Sequence, residues 1–230
     1  MSWHGRNCWR SSTSCPGRWI HLSILLLIPS VQYPIINQVF CGKTYNAMIS
    51  NLSDELFDAA TSYFHWWQNV YPEQKVYAYG FYTTPCVEWA GIVVMTEDGL
   101  RTVANEYKEK DYYRNKSIDE LITMLRWSPE DSPHCLENNN IFSSVNKHLA
   151  KVSETTHGLD VDDDAFCEYI DSLYKALIAA LLRFRAEILG NSREPLLSVW
   201  FGDQSDKEIE YFIESCNDLE ILDWYRKTVT

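Results

Sequence analysis

A single apolar stripe in the second half of the chain constrains its fold more than any other feature of the sequence. Apolar side chains recur there at every third or fourth residue, which is the period of one helix face: Phe166, Ile170, Leu173, Leu177, Leu181, Phe184 and Ile188. Gly190-Asn191 then supplies residues at which a helix ends. Burying this stripe contributes on the order of 10 kcal/mol before conformational entropy is subtracted. We therefore predict a long core helix at about residues 163–189.

The segments around this stripe predict a small sheet and several further helices. Residues 75–84 and 89–95 are rich in β-branched and aromatic residues and indicate a hairpin or two neighbouring strands, and residues 196–201 indicate a third strand. Capping residues and apolar periods predict the remaining elements: helices at 51–72, 99–110, 117–126, 141–152 and 205–215, a helix or strand at 219–225, and a loop at 127–140. The cap of the helix at 51–72 is Asn51 or Ser53, and its apolar stripe ends with Val70. No internal repeat or low-complexity linker separates them. The sequence therefore predicts one α+β domain with a small, mainly antiparallel sheet packed by several helices.

The balance of charge changes at Met48. Four of the 20 basic residues precede it, whereas all 32 acidic residues follow it. Residues 1–47 therefore carry +4, and the remaining 16 basic and 32 acidic residues give residues 48–230 a net charge of −16. We assign residues 48–230 to the domain and residues 1–47 to a segment outside it.

Residues 1–47 allow three interpretations. Basic residues precede the apolar patch Ile20–Ile28, as in a signal peptide or an anchor, and an anchor would occupy about residues 20–40. Pro29 and Pro34 would interrupt a membrane-spanning helix of about 20 residues. The second interpretation is a disordered basic tail. The third, which we favour, is that translation normally starts at Met48. We expect a cytoplasmic protein, with a membrane-anchored or secreted one as the alternative if the segment is real.

The acidity of the domain limits the partners that suit it. A net charge of −16 repels phosphate backbones, which argues against direct nucleic-acid binding. A protein partner with a basic surface would instead be attracted. A net charge of this size is also explained by solubility alone, so it does not by itself establish a partner.

The sequence contains no convincing set of catalytic or metal-binding residues. Asp160, Asp162, Asp164 and Asp171 occupy positions 1, 3, 5 and 12 of a possible calcium loop, but Ala165 stands where that loop requires glycine. An acidic first turn of the core helix explains these aspartates better, because the helix dipole favours acids there. We therefore expect no metal and no cofactor.

A possible catalytic thiol is also a weak candidate. His134 and Cys135 are adjacent, and neighbours in sequence rarely place a base opposite a nucleophile. Cysteine spacings typical of zinc sites are absent, so we expect reduced, incidental thiols and no catalytic residue.

Trp66 is a candidate for binding rather than for catalysis. Trp67 falls on the apolar stripe of its predicted helix, so Trp66 must point elsewhere. It is either a partly exposed anchor for a partner or is covered by the loop that follows Trp127.

Several segments together resemble a known family: Tyr77–Thr83, Thr96–Leu100, Leu125–Asp131, and Val199–Asp203 with the acidic C-terminal helix. The family that they resemble is bacterial and known as domain of unknown function 4303, or DUF4303, and the similarity covers roughly residues 52–225. The most specific part is Arg126-Trp127-Ser128-Pro129, followed after one residue by Asp131. Where the family usually continues with Trp-Pro, this chain has Ser132-Pro133. The resemblance implies a small cytoplasmic protein without established catalytic residues, and some members are suspected of being immunity factors in polymorphic toxin systems.

Two hypotheses about function follow. The first is a non-enzymatic binding protein, in the form of an immunity protein that neutralises a basic toxin. Its candidate contact residues are Trp66, Arg126, Trp127, Asp131 and Asp203. The alternative is a hydrolase-type enzyme that uses the carboxylates of Glu130, Asp131 and Asp203. For Arg126 and Trp127 a purely structural role is the competing interpretation, in which Trp127 fills the core and Arg126 pairs with an acid.

Calcium should not change the stability of this protein. Because the aspartates between 160 and 171 lack the glycine of a calcium loop, we expect the same Tm in millimolar calcium and in chelator. Thermal denaturation followed by circular dichroism measures this directly. A calcium-dependent rise in Tm that disappears in Asp162→Asn would contradict the interpretation, because a ligand that binds the native state stabilises it.

Overall fold

The computed structural model describes residues 38–154, 164–190 and 192–229, with side chains from residue 51 onward. Seven α-helices and four strands lie in these ranges, together with short 3-10 turns. In chain order they are α1 (Gln38–Val70), β1 (Val76–Thr83), β2 (Ala90–Thr96), α2 (Glu97–Lys108), α3 (Ile118–Leu125), β3 (His134–Cys135), α4 (Ser143–Glu154), α5 (Asp164–Glu187), β4 (Leu196–Phe201), α6 (Asp206–Cys216) and α7 (Leu219–Thr228).

The four strands form one mixed sheet in the order β3-β2-β1-β4. β1 and β2 form an antiparallel hairpin, β2 and β3 are antiparallel, and β4 joins β1 in parallel. The prediction of an α+β domain with a small, mainly antiparallel sheet is confirmed.

Helices cover both faces of the sheet. Helices α1, α4 and α5 pack on the first face, and α2, α3 and α7 pack on the second. Helix α6 lies beside β4 and contributes Phe212 to the first cluster and Ile213 to the second. The predicted core helix is α5, and the centre of its apolar stripe, from Leu173 to Phe184, is buried against the first face.

A β-bulge in β1 turns one aromatic ring towards the second face. Val76 pairs with Thr96 and Ala78 with Met95, so Tyr77 is an extra residue on its strand. Tyr77 and Ala78 consequently pack on the same face, although they are neighbours in sequence. The Tyr77 hydroxyl donates a hydrogen bond of 2.6 Å to the carbonyl of Arg126, at the end of α3.

Gly80 allows the closest approach in the sheet. A Cβ atom built on Gly80 would lie 1.9 Å from the carbonyl oxygen of Ser198 and 2.9 Å from the Trp200 ring. The Trp200 ring therefore occupies the space above the second face that a side chain at position 80 would take. Trp200 is only 2% exposed, so this contact closes the core of that face.

The open edge of β4 is covered by one amide side chain. Asn217 Oδ1 accepts a hydrogen bond from Leu197 N at 2.9 Å, and Asn217 Nδ2 donates to Leu197 O at 2.7 Å. The side chain thus pairs with the strand as a neighbouring backbone would. Arg185 donates to the same Oδ1 at 2.6 Å and orients the amide. Pairing of this kind satisfies an edge that would otherwise present unpaired backbone groups.

Helix α1 differs from its sequence-based prediction in two details. Helix α1 begins at Gln38, not after a cap at Asn51 or Ser53, so it runs through Met48. Capping residues are also tolerated inside a helix, and their presence does not require a helix start. Val70, expected on the buried stripe, is 46% exposed because it ends α1.

The predicted loop at 127–140 contains the two-residue strand β3, which is too short to show a strand period. The last segment, 219–225, is settled as a helix by its Asp218 cap. Residues 1–37, which include most of the possible anchor, lie outside the described ranges, and the boundary at Met48 stays a prediction. Among the helices described, none combines the length and apolarity that crossing a bilayer requires.

We expect Gly80→Ala to destabilise the domain by about 2–3 kcal/mol, because the new Cβ overlaps backbone atoms of β4 that cannot move alone. Gly202→Ala is the matched control, since its Cβ would meet nothing closer than 3.7 Å. Urea denaturation of both variants measures the difference. Equal midpoints for the two variants would show that the strands separate easily at Gly80.

We expect Asn217→Ala to lower the free energy of unfolding by about 1–3 kcal/mol, because it leaves buried backbone groups of Leu197 unpaired. Asn105→Ala removes an exposed amide that also donates to a backbone carbonyl, and should change stability by less than about 0.5 kcal/mol. The same denaturation experiment checks both. A loss at Asn217 no larger than at Asn105 would contradict the edge-covering role.

Candidate functional site

Arg126 joins two of the segments on which the family resemblance rests. Its guanidinium binds Glu97, the first residue of α2, through two hydrogen bonds of 2.7 and 3.0 Å. It also lies over the Tyr77 ring at 4.9 Å. The bond to Glu97 raises the pKa of Arg126. Because its guanidinium makes two bonds to Glu97 and lies over the Tyr77 ring, Arg126 holds α3 against α2.

Trp127 fixes the last helix to the sheet. Its Nε1 donates a hydrogen bond of 3.0 Å to Thr228 Oγ1 in α7. Its ring makes edge contacts with Tyr77, Trp224 and Tyr225 at centroid distances of 5.6, 5.3 and 5.0 Å. The structural interpretation of the Arg126-Trp127 pair therefore accounts for both side chains, although Trp127 also keeps a partly exposed surface.

Asp131 has protein partners on both carboxylate oxygens. Tyr107 donates to Oδ1 and Ser128 donates to Oδ2, each at 2.6 Å. The bond to Asp131 raises the pKa of Tyr107 to about 12. Asp131 borders a small cavity of about 10 Å³ between β2, α2 and α3, where only a water molecule would fit. This carboxylate stabilises its own loop.

A larger cleft forms where two loops of the resemblance meet. We name them the first signature loop, residues 126–131, and the second signature loop, residues 199–203. A Cβ built on Gly202 would lie 3.7 Å from Glu130 Oε1 and 3.9 Å from Tyr82 Oη, so the loops are in contact. The cleft has a volume of about 500 Å³. Its walls come from α3, both signature loops, the start of α6 and α7.

One half of this cleft is acidic. Glu130, Asp203 and Asp206 line it, and no lysine, arginine or histidine does so among the residues that the structure describes. The Tyr82 hydroxyl donates to Glu130 Oε1 at 2.7 Å and orients that carboxylate. Burial, followed by the bond to Glu130, raises the pKa of Tyr82, so its proton stays available for this bond.

Asp203 adopts an uncommon backbone conformation. Its φ of +59° lies in the left-handed region, where aspartate and asparagine are among the few tolerated side chains. In the described part of the chain Asp203 forms no ion pair, and its side chain is exposed. The turn thus places an exposed carboxylate, with no ion-pair partner in the described residues, on the lining of the cleft.

The other half of the cleft is apolar. Met124 and Val229 line it and are 43% and 50% exposed. Trp127 also lines the cleft, and Trp224 packs against Trp127 while remaining 37% exposed. Exposed apolar side chains beside acidic ones are typical of interaction sites.

The candidate residues therefore divide into two groups. Glu130, Asp203 and Trp127 meet in the cleft, whereas Arg126 and Asp131 support its walls and do not line it. Trp66 packs against the first face of the sheet beside Tyr63, with a centroid distance of 5.3 Å. It lies apart from Trp127, which packs on the second face, and its role as an anchor stays a prediction.

His134 and Cys135 do not form a catalytic pair. In β3 they face opposite sides of the sheet, so His134 packs beside Trp67 and Cys135 joins the second cluster. The ring nitrogens of His134 lie 2.8 Å from Glu137 Oε2 and 3.0 Å from Gln74 Oε1. Burial raises the pKa of the Cys135 thiol to about 11, which keeps it protonated and unreactive.

No metal site emerges within the residues described, where no group of three acidic, histidine or cysteine side chains is arranged so that it could hold a metal ion. Asp160 and Asp162 lie outside the described ranges, while Asp164 begins α5 and Asp171 lies within it. The calcium-loop interpretation consequently receives no support from Asp164 and Asp171.

Sequence reasoning missed several residues of the cleft. They are Tyr82, Met124, Asp206 and Val229. Tyr82 lies inside a segment already noted for the resemblance, and Asp206 follows the predicted cap of α6, so both had a local signal. Met124 and Val229 had none, because only the packing of α3 beside α7 brings them to one surface.

Comparison with known proteins identifies the family. A family model described as Domain of unknown function (DUF4303) matches residues 56–219. No curated protein and no solved structure matches the chain. The matched range contains β1 to α6, both signature loops and every carboxylate of the cleft. The chain therefore belongs to the DUF4303 family.

Proposed function

We propose that this protein is a non-enzymatic binding protein whose cleft docks a protein partner with a basic surface. The observation that carries the proposal is the lining of the cleft, which contains three carboxylates and no basic side chain in the described residues. Residues 48–230 carry −16, so the cleft lies in a domain whose overall field also attracts cations.

The geometry favours recognition because one carboxylate and one turn of the cleft are held in place before a partner arrives. Tyr82 orients the Glu130 carboxylate, and the left-handed turn sets the backbone at Asp203. A carboxylate oriented in the way that Glu130 is loses little conformational freedom on binding, which lowers the entropic cost of association. The adjoining apolar half supplies surface whose burial adds affinity regardless of the charge of the partner.

The finer form of the proposal is an immunity protein that neutralises a toxin. A toxin that acts on nucleic acid needs a basic surface, and an acidic partner bound to that surface would exclude the substrate. We do not propose that this chain binds nucleic acid directly, because its acidic domain would repel the phosphates. The proposal also keeps the cytoplasmic location expected from the sequence.

The hydrolase alternative keeps fewer residues than the sequence suggested. It required carboxylates of both signature loops to act together, and Glu130 and Asp203 do share the cleft. Asp131 instead borders a separate small cavity and accepts hydrogen bonds from Tyr107 and Ser128. Docking uses all of the cleft, including Met124 and Val229, and is the better-supported function.

The protein should bind the product of the gene adjacent to its own and protect cells from it. We expect the Glu130→Gln/Asp203→Asn double variant to weaken the complex about tenfold and to reduce protection, because two attractive charges are removed. Asparagine tolerates the left-handed conformation, so the loop should be retained. Calorimetry on the purified pair and growth of cells that co-express it are the two measurements.

The matched control is Glu106→Gln/Glu109→Gln, which removes the same charge from the last turn of α2 and its C-cap, outside the cleft. It should bind within about twofold of the unchanged protein. If no complex with the product of the adjacent gene forms at physiological salt, the immunity role is wrong. Equal weakening by the two double variants would show that net charge, and not the cleft, attracts the partner.

A further inference from the structure

The cleft has two chemically different halves, and their arrangement limits what can occupy both at once. Glu130, Asp203 and Asp206 form the acidic half, while Met124 and Val229 form the apolar half. Trp127, in the first signature loop, lines the same cleft. A ligand that satisfies both halves must carry a cation next to an apolar group.

We propose that the cleft binds a protein segment in which an arginine is followed by a large aliphatic side chain. This inference rests on the proposed function and names the chemistry that the partner presents. Arginine would lie in the acidic half, and the aliphatic side chain would lie on Met124 and Val229. The volume of about 500 Å³ falls in the range that holds a small ligand or a few side chains.

The acidic half suits a guanidinium because its carboxylates come from different elements. Glu130 belongs to the first signature loop, Asp203 follows β4, and Asp206 begins α6. Arginine presents five N–H donors in a planar fork, so it can bond to more than one carboxylate at a time. Charge-assisted bonds of this kind are stronger than bonds between neutral groups.

The apolar half includes side chains that are exposed to solvent. Of the eight large apolar residues that the structure describes as exposed, three lie on α3, on α7 or directly after α7 and either line the cleft or contact Trp127. They are Met124, Trp224 and Val229. Met124 and Val229 line the cleft itself, and Trp224 stacks edge-on against Trp127 at 5.3 Å. An aliphatic side chain placed there would bury surface that water now covers.

A short peptide tests this inference without the natural partner. The probe is acetyl-Gly-Arg-Leu-Gly-amide, titrated into the whole protein labelled with 5-fluorotryptophan. Fluorine resonances of the nine tryptophans are assigned by single Trp→Phe substitutions. We expect the Trp127 and Trp224 resonances to move in a saturable manner and the Trp66 resonance to stay in place.

Substitutions in either half of the cleft should weaken binding of the peptide on their own. We expect about fivefold weaker binding for Glu130→Gln/Asp203→Asn and for Met124→Gln. The controls are Glu106→Gln/Glu109→Gln and Leu182→Gln. Leu182 is 45% exposed on α5, across the sheet, and so matches Met124 at 43%. Both controls should bind as the unchanged protein does, and circular dichroism should show that all variants remain folded.

Three results would overturn the inference. They are no shift at Trp127, equal binding of the matched Gly-Gln-Leu-Gly peptide, and equal weakening by the cleft and control variants. Its failure is distinct from failure of the proposed function. If the product of the adjacent gene binds but the arginine peptide binds no better than the glutamine peptide, the contact with that product lies elsewhere on the surface. Selective peptide binding without a neighbouring complex would keep the ligand chemistry and remove the immunity role.

Discussion

The approach of β4 to β1 at Gly80 is the contact on which the rest of the structure depends. β1 is the strand that pairs with both β2 and β4, and the parallel β1–β4 pair places Ser198 opposite Gly80. Because position 80 has no side chain, the Trp200 ring can lie over the strand and complete the second core cluster. Helices α6 and α7 then pack against that cluster, and the loop after β4 reaches the mouth of the cleft.

The segments that define the family resemblance act mainly as a scaffold for the cleft. Arg126 ties the end of α3 to Glu97, and Trp127 ties it to Thr228 in α7. These bonds fix the start of the first signature loop, whose Glu130 lines one cleft together with Asp203 of the second signature loop. The side chains that remain available to a partner are those the scaffold does not use.

Much of the fold followed from local patterns. The core helix, the hairpin, β4 and most helix bounds were predicted because each element buries one face and its period is visible over several turns or strand residues. Strand β3 was missed because two residues, His134 and Cys135, are too few to show a period. The start of α1 was wrong because Asn51 and Ser53 are compatible with both a cap and a helix interior.

The sequence by itself determined the element types, the acidity of the domain, the family and the residues that build the signature loops. Only the tertiary structure decided which of those residues act together. It assigned Arg126 and Asp131 to internal bonds, placed Trp66 apart from the cleft, and added Met124 and Val229 to it. The physical reason is that period and capping are local properties of a chain. The lining of a cleft depends on how distant elements pack, and no single segment carries that information.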